Sequence, residues 1–334
     1  MSAIADETVA QIHKLVRAKT GDARASVHSI EVMPGHAGFS YGFVLERSDG
    51  GDPSGKMVVR IAPPGVKISG PADIVRQAKI MASLANTPVP VPQIFWYGDE
   101  PEFFGRPYLV DRFVESFKLG ESDLAPAGVK RLARKGIEIL AELHNVAWEP
   151  RRQAFGEPVA LGEEMKRLDY LLDRDTLDPA VVARAPELRE RLRSTLPVQA
   201  RIGCVHGDFQ WANVLFDQER PVALIDWEIA LIGPTLLDVG WVSFFADRDS
   251  FVAGNQRPMP LSPEEIAVTY SQAASFPIPT DQIRWFRAFA GFRFGVITCF
   301  NLMLHRRGKR VDPLWEETGL SAPRMFERGI ELLG

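Results

Sequence analysis

Val205-His206-Gly207-Asp208-Phe209-Gln210-Trp211-Ala212-Asn213 places a carboxylate and, five positions on, a carboxamide in one short stretch. A second motif follows, Ala223-Leu224-Ile225-Asp226-Trp227-Glu228, with another carboxylate at the end of an apolar run. Two acids and an amide on neighbouring loops are hard oxygen donors. They can hold Mg²⁺ and leave one acid free for a substrate hydroxyl. Phosphoryl transfer needs that set, because its catalysis is mostly positioning and charge neutralisation. His-Gly-Asp alone is a weak signal, since an Asp or Asn in a turn often caps its own backbone. The spacing from Asp208 to Asn213, with a strand-borne Asp226 behind it, argues against that bland reading for the three together.

The chain has 334 residues, long for one core, which suggests two lobes. At 46% hydrophobic and 25% charged it has the composition of an ordinary soluble protein. A formal charge of -4 gives no general pull toward nucleic acid or anionic membrane, so neither is expected as a partner. Cys204 and Cys299 lie far apart with no CxxC pattern. They argue against a disulfide framework or structural zinc and fit a reducing, cytoplasmic setting. The N-terminus lacks a basic n-region and an apolar h-region, so no signal peptide is expected. No run of about 18 apolar residues suggests a membrane span.

Apolar spacing predicts a helix over 7–19, strands over 27–33, 41–47 and 57–62, a helix over 73–84, and strands over 94–97 and 108–114. Antiparallel strands with one interrupting helix make a small α+β lobe. Helical patterns follow over 126–146, 165–172 and 186–196, then short strands at Val205 and over 222–226, then helices from 236 onward. The two acidic motifs are expected on a short hairpin inside the helical part.

These motifs resemble the aminoglycoside phosphotransferase family, the small-molecule branch of the protein-kinase-like fold, over residues 30–307. The likeness leans toward phosphotransferases related to the kinase-like domains attached to some acyl-CoA dehydrogenases. The resemblance implies a two-lobed α+β fold with a small antiparallel-sheet nucleotide-binding lobe (1–112) and a larger, mostly helical catalytic and acceptor-binding lobe (113–334). It implies ATP as phosphoryl donor, with GTP left open, and Mg²⁺. Asp208 stands where the family keeps its catalytic base. Asn213 and Asp226 match the two metal-binding positions, Asp226 being followed by Trp227-Glu228 rather than Phe-Gly. His206 matches a loop-holding histidine, and Asp238 an acid that braces the catalytic loop. Arg60 falls where a third-strand cation holds the α/β-phosphates. Its usual Glu partner in the next helix is replaced by Gln77, an amide that cannot neutralise it. Residues 35–40, ending at Ser40, match the loop over the phosphates. The linker around Val110 and Phe113 would offer backbone groups to the adenine edge, where the side chains of Asp111 and Arg112 are unusual.

Gly50-Gly51-Asp52-Pro53-Ser54-Gly55-Lys56 copies most of a P-loop. Met57 replaces the Ser or Thr that would hold Mg²⁺ and a strand follows, so it reads as a hairpin turn. No activation loop separates Asp226 from Asp238, which points to a small-molecule acceptor rather than a protein. Aminoglycosides are polycations and need an acidic pocket, whereas Arg284, Arg287, Arg293, Arg306, Arg307, Lys309 and Arg310 form a basic run interleaved with aromatics. That run is either a solvated face or the mark of an anionic, partly apolar acceptor such as a hydroxyacyl thioester. Three other readings stay open: an aminoglycoside or other antibiotic kinase, a nucleotide-binding pseudokinase favoured by Gln77, and a nucleic-acid binder. Nothing in the sequence fixes the oligomeric state.

Overall fold

The computed structural model describes residues 4–33, 39–65, 70, 73–174, 176–256 and 258–334. Residues 1–117 and 222–229 form one compact unit, and residues 118–221 and 230–334 a second. The expected division lay between residues 112 and 113 and kept the Asp226 segment with the helical part. Instead, that segment is tied into the first unit: Leu224 N–H donates to Pro90 O at 2.8 Å, and Arg76 Nη1 to Glu228 O at 3.4 Å.

The first unit opens with helix α1 (Asp6–Thr20), then strands β1 (Ser26–Val32), β2 (Ser40–Glu46) and β3 (Gly55–Ile61). Helix α2 (Ile74–Leu84), strand β4 (Ile94–Gly98), the single turn α3 (Pro101–Phe104) and strand β5 (Tyr108–Arg112) follow. The strands make one antiparallel sheet in the order β1-β2-β3-β5-β4. Side chains alternate across it. Met57, Val59 and Ile61 join Tyr108 and Val110 on the face that packs with Ile12, Leu15 and Val16 of α1. The same alternation sends Val58 and Arg60 to the opposite face. Asp73 caps α2 by accepting from Arg76 N–H at 2.9 Å, which is why that helix starts where it does. The glycine-rich stretch 34–38, expected as the loop over the phosphates, lies outside the described residues. The P-loop look-alike is the β2–β3 turn, with Lys56 already in β3 and paired to Glu115.

Strand β6 (Phe117–Lys118) precedes helices α4 (Pro126–Asn145), α5 (Arg152–Phe155), α6 (Leu161–Leu172), α7 (Pro179–Val182) and α8 (Ala185–Ser194). Strands β7 (Ile202–Val205), β8 (Val214–Phe216), β9 (Pro221–Leu224) and β10 (Leu231–Pro234) come next. Helices α9 (Leu236–Ala246), α10 (Pro263–Ala273), α11 (Thr280–Arg306), α12 (Leu314–Gly319) and α13 (Ala322–Leu333) end the chain. In the second unit β7 pairs antiparallel with β10, Leu231 opposite Val205. The expected hairpin partner, the strand before Asp226, is therefore replaced by β10, a segment for which no strand was expected. Helix α11 is long and apolar enough to cross a membrane by length and composition, a feature the run-length reading did not register. It is mostly buried and packs against α6, α8, α9, α12 and α13. Helix α9 is buried on nearly all sides, as a helix apolar all round must be. Gly240 permits its close crossing with α11, because a Cβ there would stand 2.4 Å from Phe286 O.

Candidate active site

Asp208 stands on the loop that leaves β7, and the loop is fixed from below. Asp238, fully buried in the first turn of α9, accepts from His206 N–H and Gly207 N–H at 2.7 Å each. His144 Nε2 lies 3.2 Å from the same carboxylate, and its Nδ1 lies 2.6 Å from Tyr270 Oη. Burial raises the Tyr270 phenol well above its ordinary value, so it remains a neutral hydroxyl. Gly207 takes φ 86°, a left-handed conformation that costs glycine little, and this turns the chain so that Asp208 follows. His206 is fully buried and its Nδ1 accepts from Asp208 N–H at 3.3 Å, a contact consistent with holding the loop.

The Asp208 carboxylate is half-buried and held by three donors. Trp241 Nε1 and Gln210 Nε2 each donate to Oδ1 at 2.7 Å. Asn213 Nδ2 donates to Oδ2 at 3.2 Å and to the Asp208 carbonyl at 2.9 Å. Oδ1 is thus occupied, and Oδ2 keeps a lone pair for a substrate hydroxyl. With its nitrogen turned to Asp208, Asn213 presents Oδ1 as the oxygen that can meet a cation. Trp241 and Gln210 were not singled out in the sequence; Gln210 lies two positions after Asp208, whereas Trp241 lies 33 positions on, in α9, where nothing in the sequence ties it to the loop.

Asp226 belongs to the first unit. It is half-buried and sits at φ 68°, one of two non-glycine residues with positive φ among the described residues. Asp tolerates this region better than most residues, yet such conformations persist only where surroundings impose them, often at functional positions. Trp227 beside it is fully buried, with Nε1 donating to Leu224 O at 2.8 Å, and this anchors the turn. Among the described residues no three His, Cys, Asp or Glu side chains converge. The donors on offer are the sparse carboxylate and amide oxygens that suit Mg²⁺, which keeps several of its waters.

Arg60 on β3 donates through Nη2 to Asp111 Oδ2 at 2.5 Å. The β3–β5 register sets Val58 opposite Asp111 and Arg60 opposite Leu109, so Arg60 and Asp111 are diagonal neighbours on one face. Burial pushes the Asp111 carboxyl up from its ordinary value, and the Arg60 guanidinium pulls it back. Asp111, seen in the sequence only as an unusual linker residue, therefore supplies Arg60 with the negative partner that Gln77 cannot. Gln77 lies half-buried on α2. Ser40 is the cross-strand partner of Arg60, so those two expected phosphate contacts are adjacent.

Val110, expected to offer backbone groups to the adenine edge, lies in the middle of β5. Val110 is fully buried and pairs with Val59 on one side and Trp96 on the other. Phe113 follows the end of β5; its N–H donates to Lys56 O at 3.1 Å, and Lys56 Nζ lies 5.3 Å from its ring centre.

The basic run resolves into different roles. Arg287 pairs with Asp247, and Arg306 with Glu316 and Asp178. Arg293 is the buried member of the run: it is 5% exposed, and its guanidinium carbon lies 4.7 Å from the Trp241 ring centre.

A model of the phosphotransferase enzyme family (APH) matches residues 44–261. Acyl-CoA dehydrogenase family member 10 of Mus musculus is 24% identical over 260 residues, 72% of this chain, and this chain spans about a quarter (24%) of that relative's length. A provisionally assigned aminoglycoside phosphotransferase from Ralstonia eutropha superposes with a TM-score of 0.77 at 19% identity, over 97% of this chain and 98% of that one. A thermostable mutant of aminoglycoside phosphotransferase APH(4)-Ia, in a ternary complex with ADP and hygromycin B, gives 0.59 at 17% identity over 97% and 98%. With the family model spanning most of the chain and these neighbours sharing its two-lobed, kinase-like α+β fold, the chain belongs to the phosphotransferase enzyme family.

Proposed function

We propose that this chain moves the γ-phosphoryl group of ATP to a hydroxyl of a small, anionic metabolite, a hydroxyacyl thioester being one such compound. The observation that carries the reading is the Asp208 carboxylate, with Oδ1 held by Trp241 and Gln210 and Oδ2, which accepts from Asn213 alone, keeping a lone pair for a substrate. The acceptor hydroxyl donates to Oδ2. As its oxygen bonds to the γ-phosphorus and the bond to the ADP oxygen breaks, its proton passes to Asp208, a contribution of about 10²–10⁴ in rate. Asn213 Oδ1 and the Asp226 carboxylate are each suited to Mg²⁺, which would neutralise the phosphate charge that builds in transfer. Arg60, paired with Asp111, would meet the donor phosphates with Ser40 next to it. The ADP and hygromycin B bound by the APH(4)-Ia neighbour support a nucleotide donor and a hydroxylated acceptor.

Mass detection of phosphorylated product, run beside nucleotide binding, tests the roles. Asp208→Ala is expected to abolish product while nucleotide still binds, whereas Asp226→Ala also weakens Mg-ATP binding. Near-wild-type turnover by Asp208→Ala would overturn the assignment.

A further inference from the structure

Arg293 carries a positive charge into the protein interior without a paired acid. It lies in the middle of α11 at 5% exposure, and its Nε has no hydrogen-bond partner. Among the described residues no carboxylate forms an ion pair with it. The acids whose fields reach it are Glu164, Asp208 and Asp238, and each is engaged elsewhere. Glu164 takes Arg167 at 3.1 Å, Asp208 takes Trp241, Gln210 and Asn213, and Asp238 takes the two loop amides and His144. What Arg293 does contact is the face of Trp241, the residue whose indole N–H holds the catalytic carboxylate. A guanidinium stays protonated at any ordinary pH, so burial cannot be relieved by losing the charge. A cation–π contact recovers only a small part of the cost of an unpaired buried ion.

We propose that Arg293 reads an anionic oxygen group on the acceptor, so that the acceptor is a hydroxylated compound bearing a carboxylate or phosphate a few bonds from its reacting hydroxyl. This rests on the phosphotransferase reading of Asp208 and adds to it the residue that reads the acceptor's anionic group and the place of that group relative to the hydroxyl. The indole of Trp241 sets the spacing, with the hydroxyl on Asp208 at one edge and the anion on the guanidinium stacked over its face. A planar fork of donors suits either anion in a bidentate manner. A cationic acceptor such as an aminoglycoside would add like charge beside a buried guanidinium, so the same residue selects against it.

The test compares matched acceptors with Mg-ATP: 4-hydroxybutyrate against 4-hydroxybutyramide, and glycerol 3-phosphate against glycerol, with kanamycin and choline as cations. Phosphorylated product is measured by mass and nucleotide binding is followed separately. Wild type is expected to favour the anionic member of at least one pair by about 10- to 100-fold. Arg293→Met is expected to lower that preference to near unity, and Arg293→Lys to keep part of it with the fold intact by circular dichroism. The two pairs distinguish a carboxylate from a phosphate reader. Equal use of charged and neutral partners, an undiminished preference in folded Arg293→Met, or turnover of the cations alone would overturn the proposal and leave the phosphotransferase reading standing. Failure to bind Mg-ATP would instead remove that underlying reading.

Discussion

Trp241 Nε1 donates to Asp208 Oδ1 at 2.7 Å, joining helix α9 to the loop after β7. The same ring packs edge-on against Phe245 and Phe294, with centroids 5.0 and 5.8 Å away. The indole is thus clamped by the core and passes that rigidity to the carboxylate. Trp241→Phe keeps the packing and removes the donor. A hydrogen bond to a charged group is worth about 1.5–3 kcal/mol, so kcat is expected to fall about tenfold or more, with the KM for nucleotide changed less than about twofold. Steady-state kinetics check this, and an unchanged kcat would show that the bond does not position Asp208.

Asp238 anchors the loop from beneath. Removing its carboxylate strands two buried N–H groups and the His144 ring. Asp238→Ala is expected to cost about 3–5 kcal/mol, the usual loss when one partner of a buried charged network is deleted. Asp238→Asn retains one acceptor oxygen and is expected to cost about 1–3 kcal/mol. Urea unfolding should show both as lower midpoints at constant slope. Equal, small losses would mean that water replaces the carboxylate.

The grouping of Asp208 with Asn213 on this loop was legible because the two residues are close in sequence. Helix α1 and the strands of the first unit were legible for the same reason, through local periodicity. What escaped were pairings made across the chain. Strand β10 completes β7 with four residues that carry no alternation and end in Gly-Pro. Asp111 meets Arg60 across 51 positions only because of the β3–β5 register. The arginines of α11 are chemically alike in sequence. Their difference comes from Asp247, Asp178 and Glu316 on other elements, which claim Arg287 and Arg306 and leave Arg293 on an indole.

Arg60 and Asp111 form a pair whose halves are unequal, Arg60 being 24% exposed and Asp111 only 5% in the side chain. Losing the cation leaves a buried carboxylate uncompensated, while losing the acid leaves a cation that reaches solvent. Arg60→Met is therefore expected to destabilise by about 3 kcal/mol and Asp111→Leu by less, with the double variant near wild-type stability. Nucleotide binding should separate from stability. If Arg60 meets the donor phosphates, affinity stays low in the double variant although the fold is restored. Recovery of both together would confine the pair to a structural role.

Asp247 closes a three-element junction in the second unit, pairing with Arg287 of α11 and with Arg328 Nε of α13 at 2.8 Å. Burial pushes its carboxyl up, but the two guanidinium groups outweigh that and hold it below the ordinary value of 3.8. A carboxyl with a depressed folded-state pKa stabilises fully above its unfolded value, and that contribution is lost as pH falls through the folded value. The wild-type advantage over Asp247→Asn should therefore be constant above about pH 5 and shrink between about pH 4 and pH 2. Paired urea unfolding across that range reads the difference directly, so titration of other carboxylates common to both proteins cancels. A difference that stayed flat through pH 2 would mean that Asp247 contributes packing and hydrogen bonds rather than charge.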